Sequence, residues 1–138
     1  MILLELWEAA YVAGIIDGEG SITLTRMHAN EFRRPCITIA STDYELLHYV
    51  QGLSGGSINN KKNYKPDKHK KSYTLNIKKK SEVINTLQEI IPFLRVHKKK
   101  DRAIWVLEKY DAVTLRNGKY TEIQRQEKRN FEVEFFKL

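Results

Sequence analysis

The stretch "VAGIIDGEG", residues 12–20, joins a hydrophobic segment to an alternating one without any spacer. Residues 3–17 are predicted to form a helix that the two glycines of the stretch end, and "SITLT" predicts a half-buried strand directly afterwards. Asp17 and Glu19 therefore lie at a helix C-terminus, where the helix dipole is already negative and Lys or Arg is favoured. The stretch is therefore either a simple turn or a site at which the two acidic side chains bind a positively charged group.

The rest of the chain predicts alternating pairs of strands and helices. Thr42 and Glu45 have capping-box spacing at the start of the second helix, Ser81 is a candidate cap for the third, and Pro92 closes that helix. The predicted elements are strands over 21–26 and around 37–39, a helix over roughly 43–52 that ends at Gly52 or at the Gly55-Gly56 pair, strands from 57 and over 72–78, and helices over 81–91, 98–110 and 120–137. With no linker or low-complexity break, we expect one α+β domain over 1–138 in the order α-β-β-α-β-β-α followed by helices.

The charge balance indicates a polyanionic partner. Twenty-four Lys and Arg against 17 Asp and Glu give a net charge of +7, which favours nucleic acid first and an acidic membrane surface second. Cys36 is the single cysteine, so an intramolecular disulfide or a thiolate zinc cluster is excluded. The N-terminal segment carries Glu5 and Glu8 and lacks the features of a signal peptide. We expect an intracellular protein, located with its DNA and with no membrane partner.

Small residues share one face of the first predicted helix. Ala10, Ala13, Gly14 and Asp17 fall on that face at a period of 3.6 residues, which allows close approach of another helix backbone. The other helix belongs either to the same domain or to a second copy of the chain. In the second case two Glu19 carboxylates lie side by side, and divalent cations between them relieve their repulsion. An EF-hand is excluded, because its twelfth position is His28 and not Glu.

The stretch at 12–20 resembles the LAGLIDADG motif. Five of its nine residues are identical to that motif and the other four are conservative replacements; the identical ones are Ala13, Gly14, Ile16, Asp17 and Gly20. The preceding Tyr11 and the following Ser21-Ile22 also resemble that family. The resemblance is to the single-motif LAGLIDADG homing endonucleases. It implies an antiparallel, saddle-shaped DNA-binding sheet and a homodimer held together by the motif helices.

The resemblance also implies a metal site and its neighbours. Glu19 would bind Mg²⁺ at the scissile phosphates together with the Gly18 backbone carbonyl, and Asp17 would be structural. Glu19 stands where the motif has Asp, which moves the carboxylate out by about one carbon–carbon bond. The basic residue that family members carry five positions after the proline would be His97, with Lys98 and Lys99 directly after it. We take His97 and Lys98 as catalytic candidates, with a solvated helix start as the alternative.

The polar residue after the second strand, which often orders solvent in the family, would be Ser41; a helix cap is its alternative role.

Polar and basic side chains on alternate strand positions form a candidate surface for a DNA major groove. Six lysines and one acid lie between 59 and 72, which is otherwise typical of a solvated surface. The candidates for DNA contacts are Thr23, Thr25, Arg26, Arg33, Arg34, Thr38, Asn59, Lys61, Lys62, Lys68, Lys70, Lys71, Thr74, Asn76 and Lys78. We expect the lysines to contact phosphates, and the arginines, asparagines and threonines to reach base edges.

Taken together, the sequence predicts a Mg²⁺-dependent, site-specific double-strand DNA endonuclease that acts as a homodimer. Two alternatives stay open. The first is a non-enzymatic nucleic-acid-binding protein on the same scaffold, either an intron RNA maturase or a transcriptional regulator. The second is an RNA-binding structural protein of ribosomal type, for which the acidic helix end would have no explanation.

Overall fold

The predicted order of elements is confirmed in the computed structural model, which describes residues 3–60 and 71–138. The helices within these residues are α1 (Leu6–Glu19), α2 (Tyr44–Ser54), α3 (Lys80–Ile90), α4 (His97–Lys109) and α5 (Glu122–Lys137). The strands are β1 (Gly20–Thr25), β2 (Arg34–Ser41), β3 (Ser57–Asn60) and β4 (Tyr73–Ile77), and short 3₁₀ turns follow α3 and α4. The chain is therefore an α+β fold.

The four strands of the described residues form one open antiparallel sheet in the order β1-β2-β4-β3. Alternate residues of each strand point to opposite faces, so the predicted apolar positions share one face. That inner face is fully buried under the helices; it includes Ile22, Leu24, Ile37, Ile39, Leu75 and Ile77. Residues of α1, α2 and α3 pack on it and make one core. The outer face of the sheet carries the threonines and asparagines and is left open.

Helix α1 differs from its predicted bounds at both ends. It begins at Leu6, where Glu5 and Glu8 form a reciprocal capping box, and it continues through Gly18 to Glu19. The chain turns at Gly20, whose N–H donates to the Ile16 carbonyl. A Cβ at this position would lie 2.8 Å from the Ile16 Cα, so only glycine permits so tight a passage from helix to strand. Gly20, and not Gly18, ends the helix.

The predicted caps of α2 and α3 are wrong. Helix α2 begins after Asp43, whose N–H is bound by the Ser41 hydroxyl at 3.0 Å, so Thr42 does not cap it. Helix α3 begins at Lys80, one residue before Ser81. Helix α2 also runs past Gly52 and ends only at Ser54, where Gly55 adopts a φ of 79°.

Across the described ranges, no helix has both the length and the apolar character that a membrane crossing requires.

Candidate metal site and nucleic-acid interface

Glu19 ends helix α1 with an exposed side chain, and Gly18 beside it is exposed as well. The last carbonyls of a helix have no partner within the helix, so the Gly18 carbonyl is open to a ligand. Carboxylate and carbonyl oxygens are the donors that Mg²⁺ prefers. Among the described residues of one protomer, no group of three or more His, Cys, Asp or Glu is close enough to hold a metal. Glu19 and Gly18 thus fit Mg²⁺ as part of a ligand set that other molecules must complete.

Asp17 connects α1 to α4. Its two carboxylate oxygens accept hydrogen bonds from the backbone N–H groups of Arg95, at 2.8 Å, and Val96, at 3.1 Å. These donors lie directly before α4, which has no capping side chain of its own. Asp17 therefore holds the start of α4 against the end of α1. This agrees with the structural role that the motif resemblance implies for Asp17.

Lys99 supplies the positive charge that α1 lacks. Its Nζ donates to the carbonyl oxygens of Ile16 and Asp17, each at 2.8 Å, and the last turn of α1 contains no basic residue. Lys98 and His97 are exposed at the start of α4. Successive helical residues point about 100° apart, so only one of three consecutive lysines can face α1. The lysine that contacts the acidic helix end is thus Lys99, whereas the catalytic roles of Lys98 and His97 stay predictions.

Ser41 forms a turn before α2 and does not cap the helix, because the N-cap residue is Asp43 and the helix has no side-chain cap. Its hydroxyl is half-buried and accepts the Asp43 N–H at the entry to α2. The role of Ser41 in ordering solvent stays a prediction.

The exposed side of α1 is made of small and apolar residues. Ala10, Gly14 and Gly18 are exposed at a spacing of four, and an added Cβ on either glycine would lie more than 4 Å from every described atom outside the helix itself. Trp7, 64% exposed, lies on the preceding turn. Ala13, by contrast, is 0% exposed in the protomer's own core. The prediction that Ala13 contacts a partner is therefore wrong, because its side chain already packs inside.

Half-exposed polar side chains line the outer face of the sheet. Thr23, Thr25, Thr38, Thr74 and Asn76 occupy alternate strand positions there, as predicted. Arg26, Arg34, Asn59, Lys71 and Lys78 are exposed around the same face. Lys61, Lys62, Lys68 and Lys70 lie outside the described residues.

Arg33 does not belong to the outer face. Its guanidinium forms an ion pair with Glu132 of α5 at 2.6 Å and lies over the Phe136 ring, 5.3 Å from the ring centroid. Arg34, the next residue, has a 57% exposed side chain. Because consecutive residues of an extended chain point to opposite sides, the two arginines cannot both face DNA. The structure thus corrects the prediction for Arg33 and leaves Arg34 available.

Cys36 lies on the outer-face register of β2 but is buried. Burial raises the pKa of its thiol, and the nearby positive charge of Lys78 offsets part of that effect. The thiol therefore stays protonated at neutral pH.

Comparison with known proteins identifies one family. A family described as LAGLIDADG-like domain matches residues 6–92. No curated protein sequence matches the chain.

Solved structures share the fold. The homing endonuclease I-CvuI, in complex with its target in the presence of calcium, aligns over 91% of this chain and 95% of its own, at 17% identity and a TM-score of 0.61. An archaeal intron-encoded homing endonuclease complexed with DNA aligns over 95% of this chain and 83% of its own, at 16% identity and a TM-score of 0.62. The I-SmaMI endonuclease bound to cleaved DNA aligns over 96% of this chain but 42% of its own, at 19% identity and a TM-score of 0.65.

Proposed function

The chain belongs to the LAGLIDADG-like domain family, and from that premise we propose that it is a site-specific double-strand DNA endonuclease that uses Mg²⁺ and acts as a homodimer. The observation that carries this proposal is the exposed Glu19 carboxylate at the end of a helix whose own open face is small and apolar. Structurally similar proteins include a homing endonuclease bound to cleaved DNA.

The dimer in this proposal forms through the exposed side of α1. An added Cβ on Gly14 or Gly18 would meet nothing outside the helix itself within 4 Å among the described residues, so nothing in their packing requires glycine at either position. Glycine in a helix interior costs about 1 kcal/mol relative to alanine, which is explained if a second backbone packs closely there. Packing α1 against its copy brings the two Glu19 carboxylates to the same end of the paired helices.

Each residue at this end has a separate task. Glu19 and the Gly18 carbonyl would hold the metal, which when bound supplies activation of water and stabilisation of the leaving oxygen. Lys99 neutralises the negative end of α1 and keeps the last turn in place beside Glu19. Asp17 fixes α4, and with it Lys99, against that turn.

The outer face of the sheet supplies DNA binding in this proposal. Arg26, Arg34 and Asn76, with the threonines of β1, β2 and β4, are suited to contact base edges in the major groove. Lys71 and Lys78, with the lysines of the 61–70 segment, are suited to contact phosphates. The target is expected to be long and nearly palindromic, because two identical subunits would bind two half-sites.

Replacement of Glu19 by Gln tests the proposal. The shape is kept and the charge that the metal requires is removed, so cleavage of the target should fall by several orders of magnitude while DNA binding and folding persist. Glu108→Gln, which changes an exposed acid of α4 away from the junction, is the matched control and should cut normally. A Glu19→Gln protein that cleaves at a rate within about tenfold of wild type would show that Glu19 is not the required metal ligand. A wild-type protein that binds duplex DNA and cuts none in Mg²⁺ would favour the non-enzymatic alternative.

A further inference from the structure

A basic cavity of about 580 Å³ lies at the end of the sheet that is remote from Glu19. Strand register defines the two ends: Gly20, next to Glu19, pairs with Ile39, whereas Thr25 pairs with Arg34 at the other end of the same ladder. The cavity is enclosed by the β1–β2 connection, the residues after β4, the segment after α4, and α5. It is thus separate from the proposed metal site.

The walls of the cavity carry more positive than negative charge. Lys80 is paired with Asp111 at 2.6 Å, and Arg34 lies 3.8 Å from Glu31. Lys78, Lys79 and Lys128 also line the cavity, and in the described part of the chain none of them has a carboxylate within ion-pair distance. Three cations are therefore available to an anion that enters.

Lys128 is the most informative of the three, because it is 1% exposed. Its Nζ donates to the Thr114 hydroxyl and lies 4.3 Å from the centroid of the Tyr110 ring. Neither of these two partners is negatively charged, and the nearby Glu132 carboxylate is paired with Arg33, so the buried ammonium group has no carboxylate of its own. Burial, with the positive charges of Lys80 and Arg34, lowers the pKa of Lys128 to about 8, although Glu132 opposes the shift. Replacement of such a buried charge by a hydrophobic residue is often neutral or stabilising, so packing alone does not explain a lysine here.

We propose that this cavity binds the phosphate group of a nucleotide, either free or within a nucleic-acid strand. Lysine ammonium groups bind phosphate as point charges with three N–H donors each. Phe32, Tyr110 and Tyr120 supply aromatic walls for a sugar or base beside the cations. The volume lies within the usual range of small-ligand sites.

The cavity also adjoins the outer face of the sheet. Arg34 stands at an outer-face position of β2, Lys78 directly follows β4, and both line the cavity. A DNA strand that lies along that face would therefore bring a backbone phosphate to the cavity mouth. This second source of the phosphate rests on the proposed function, whereas the free nucleotide does not.

Titration with AMP and with inorganic pyrophosphate, in low salt without metal or DNA, tests the free-ligand source by calorimetry. One site per chain is expected, and Lys128→Gln should weaken binding at least about tenfold, because a charge-assisted hydrogen bond is removed. Lys137→Gln is the matched control; this exposed lysine of α5 pairs with Glu134 outside the cavity, and its replacement should change nothing. If Lys128→Gln does not fold by circular dichroism, Lys79→Gln at the exposed rim replaces it, with a weaker but measurable decrease in affinity.

Salt dependence of duplex binding tests the strand source. Each phosphate that the protein no longer neutralises lowers the slope of log affinity against log salt by about 0.9, so Lys128→Gln or Lys79→Gln should flatten the slope and Lys137→Gln should not. A decrease in either assay supports the cavity and identifies the source of its phosphate. The proposal would be overturned if both cavity variants bind AMP and pyrophosphate as tightly as wild type and also keep the wild-type salt slope of duplex binding. Because neither assay depends on cleavage, a failure of the cavity proposal can be distinguished from a failure of the proposed metal-binding role of Glu19.

Discussion

The buried lysine at position 128 makes stability depend on pH in a defined direction. Its pKa is lowered from 10.5 to about 8 in the folded chain by burial, with Lys80 and Arg34 adding to the shift and Glu132 opposing it. Below pH 8 Lys128 is protonated in both the folded and the unfolded chain, so the folded state carries the full cost of burying its positive charge. Between pH 8 and 10.5 the unfolded chain binds more protons, so this residue's destabilising effect fades as pH rises. The whole change is on the order of 3 kcal/mol.

Lys128→Met should therefore raise the free energy of unfolding at pH 7, and its advantage over wild type should shrink toward pH 10. Urea unfolding at pH 7, 8, 9 and 10 measures both curves. Tyr110 and Cys36 have raised pKa values that act in the opposite direction, and both residues are present in the two proteins. If the free energy of unfolding depends on pH in the same way in both proteins, Lys128 does not have a lowered pKa in the folded chain.

Residue roles are predictable from sequence where they follow strand alternation, and not where they depend on a contact distant along the chain. Thr38 and Asn76 face outward because alternation fixes them. The prediction for Arg33 is wrong because its partner, Glu132, lies 99 residues away. The burial of Lys128 has no local signal, since a lysine in a polar helix predicts exposure and nothing nearby in sequence indicates that the segment after α4 covers it.

At the scale of elements, α1 and α4 hold each other through their facing ends. Lys99→Met removes both hydrogen bonds to the α1 carbonyls and should lower the free energy of unfolding by about 1–2 kcal/mol. Lys98→Met changes the neighbouring exposed lysine and should stay within about 0.5 kcal/mol of wild type. Urea unfolding at pH 7 compares them. Equal decreases would show that Lys99 does not support the helix end.

Asp17→Asn probes the other half of the same junction. The carboxylate accepts N–H groups with both oxygens, whereas an amide turns its NH₂ toward one of those donors. We expect the free energy of unfolding to fall by about 1–3 kcal/mol, the cost of a donor without its acceptor, with the start of α4 losing amide protection first. Hydrogen exchange at Arg95 and Val96 measures this directly. Protection equal to wild type at both positions would exclude the capping role.

The end of α1 shows why element bounds are the weaker part of the sequence prediction. Two glycines after Asp17 predict a stop near Gly18, which is correct for an isolated helix. The Lys99 ammonium binds the carbonyls of the last turn, so the helix continues to Glu19. Strand and helix order, by contrast, follows from local periodicity and is predictable throughout.

At the scale of the whole molecule, the open face of α1 predicts self-association. Gly14→Val adds a branched side chain where the protomer has free space, so the fold should persist while the paired helices are forced apart. Gly52→Val is the matched control, because Gly52 is also a helical glycine with no atom within 4 Å of an added Cβ. Sedimentation at micromolar concentration should show a dimer for wild type and Gly52→Val, and a monomer for Gly14→Val. A monomeric wild type that cuts both strands would refute the dimer.

The 61–71 segment gives a second prediction at this scale. Neutralisation of Lys68, Lys70 and Lys71 should weaken binding to all duplex sequences alike and lower the salt slope by about 0.9 for every phosphate that these lysines neutralise in the wild type. Filter binding between low and moderate salt measures the slope. An unchanged slope would show that these lysines are merely solvated.

The passage from α1 to β1 has no hinge. Gly20 packs directly on Ile16, and Thr23, four residues after Glu19, faces outward on the same continuous piece of chain. If the outer face binds a duplex, any shift of β1 is transmitted directly to Glu19. A displacement of about 1 Å at a reacting centre can lower the rate about a hundredfold. A poorly matched duplex would then be cut even more slowly than its weaker binding explains. The rate of the reaction, as well as the affinity for the duplex, would therefore select the target.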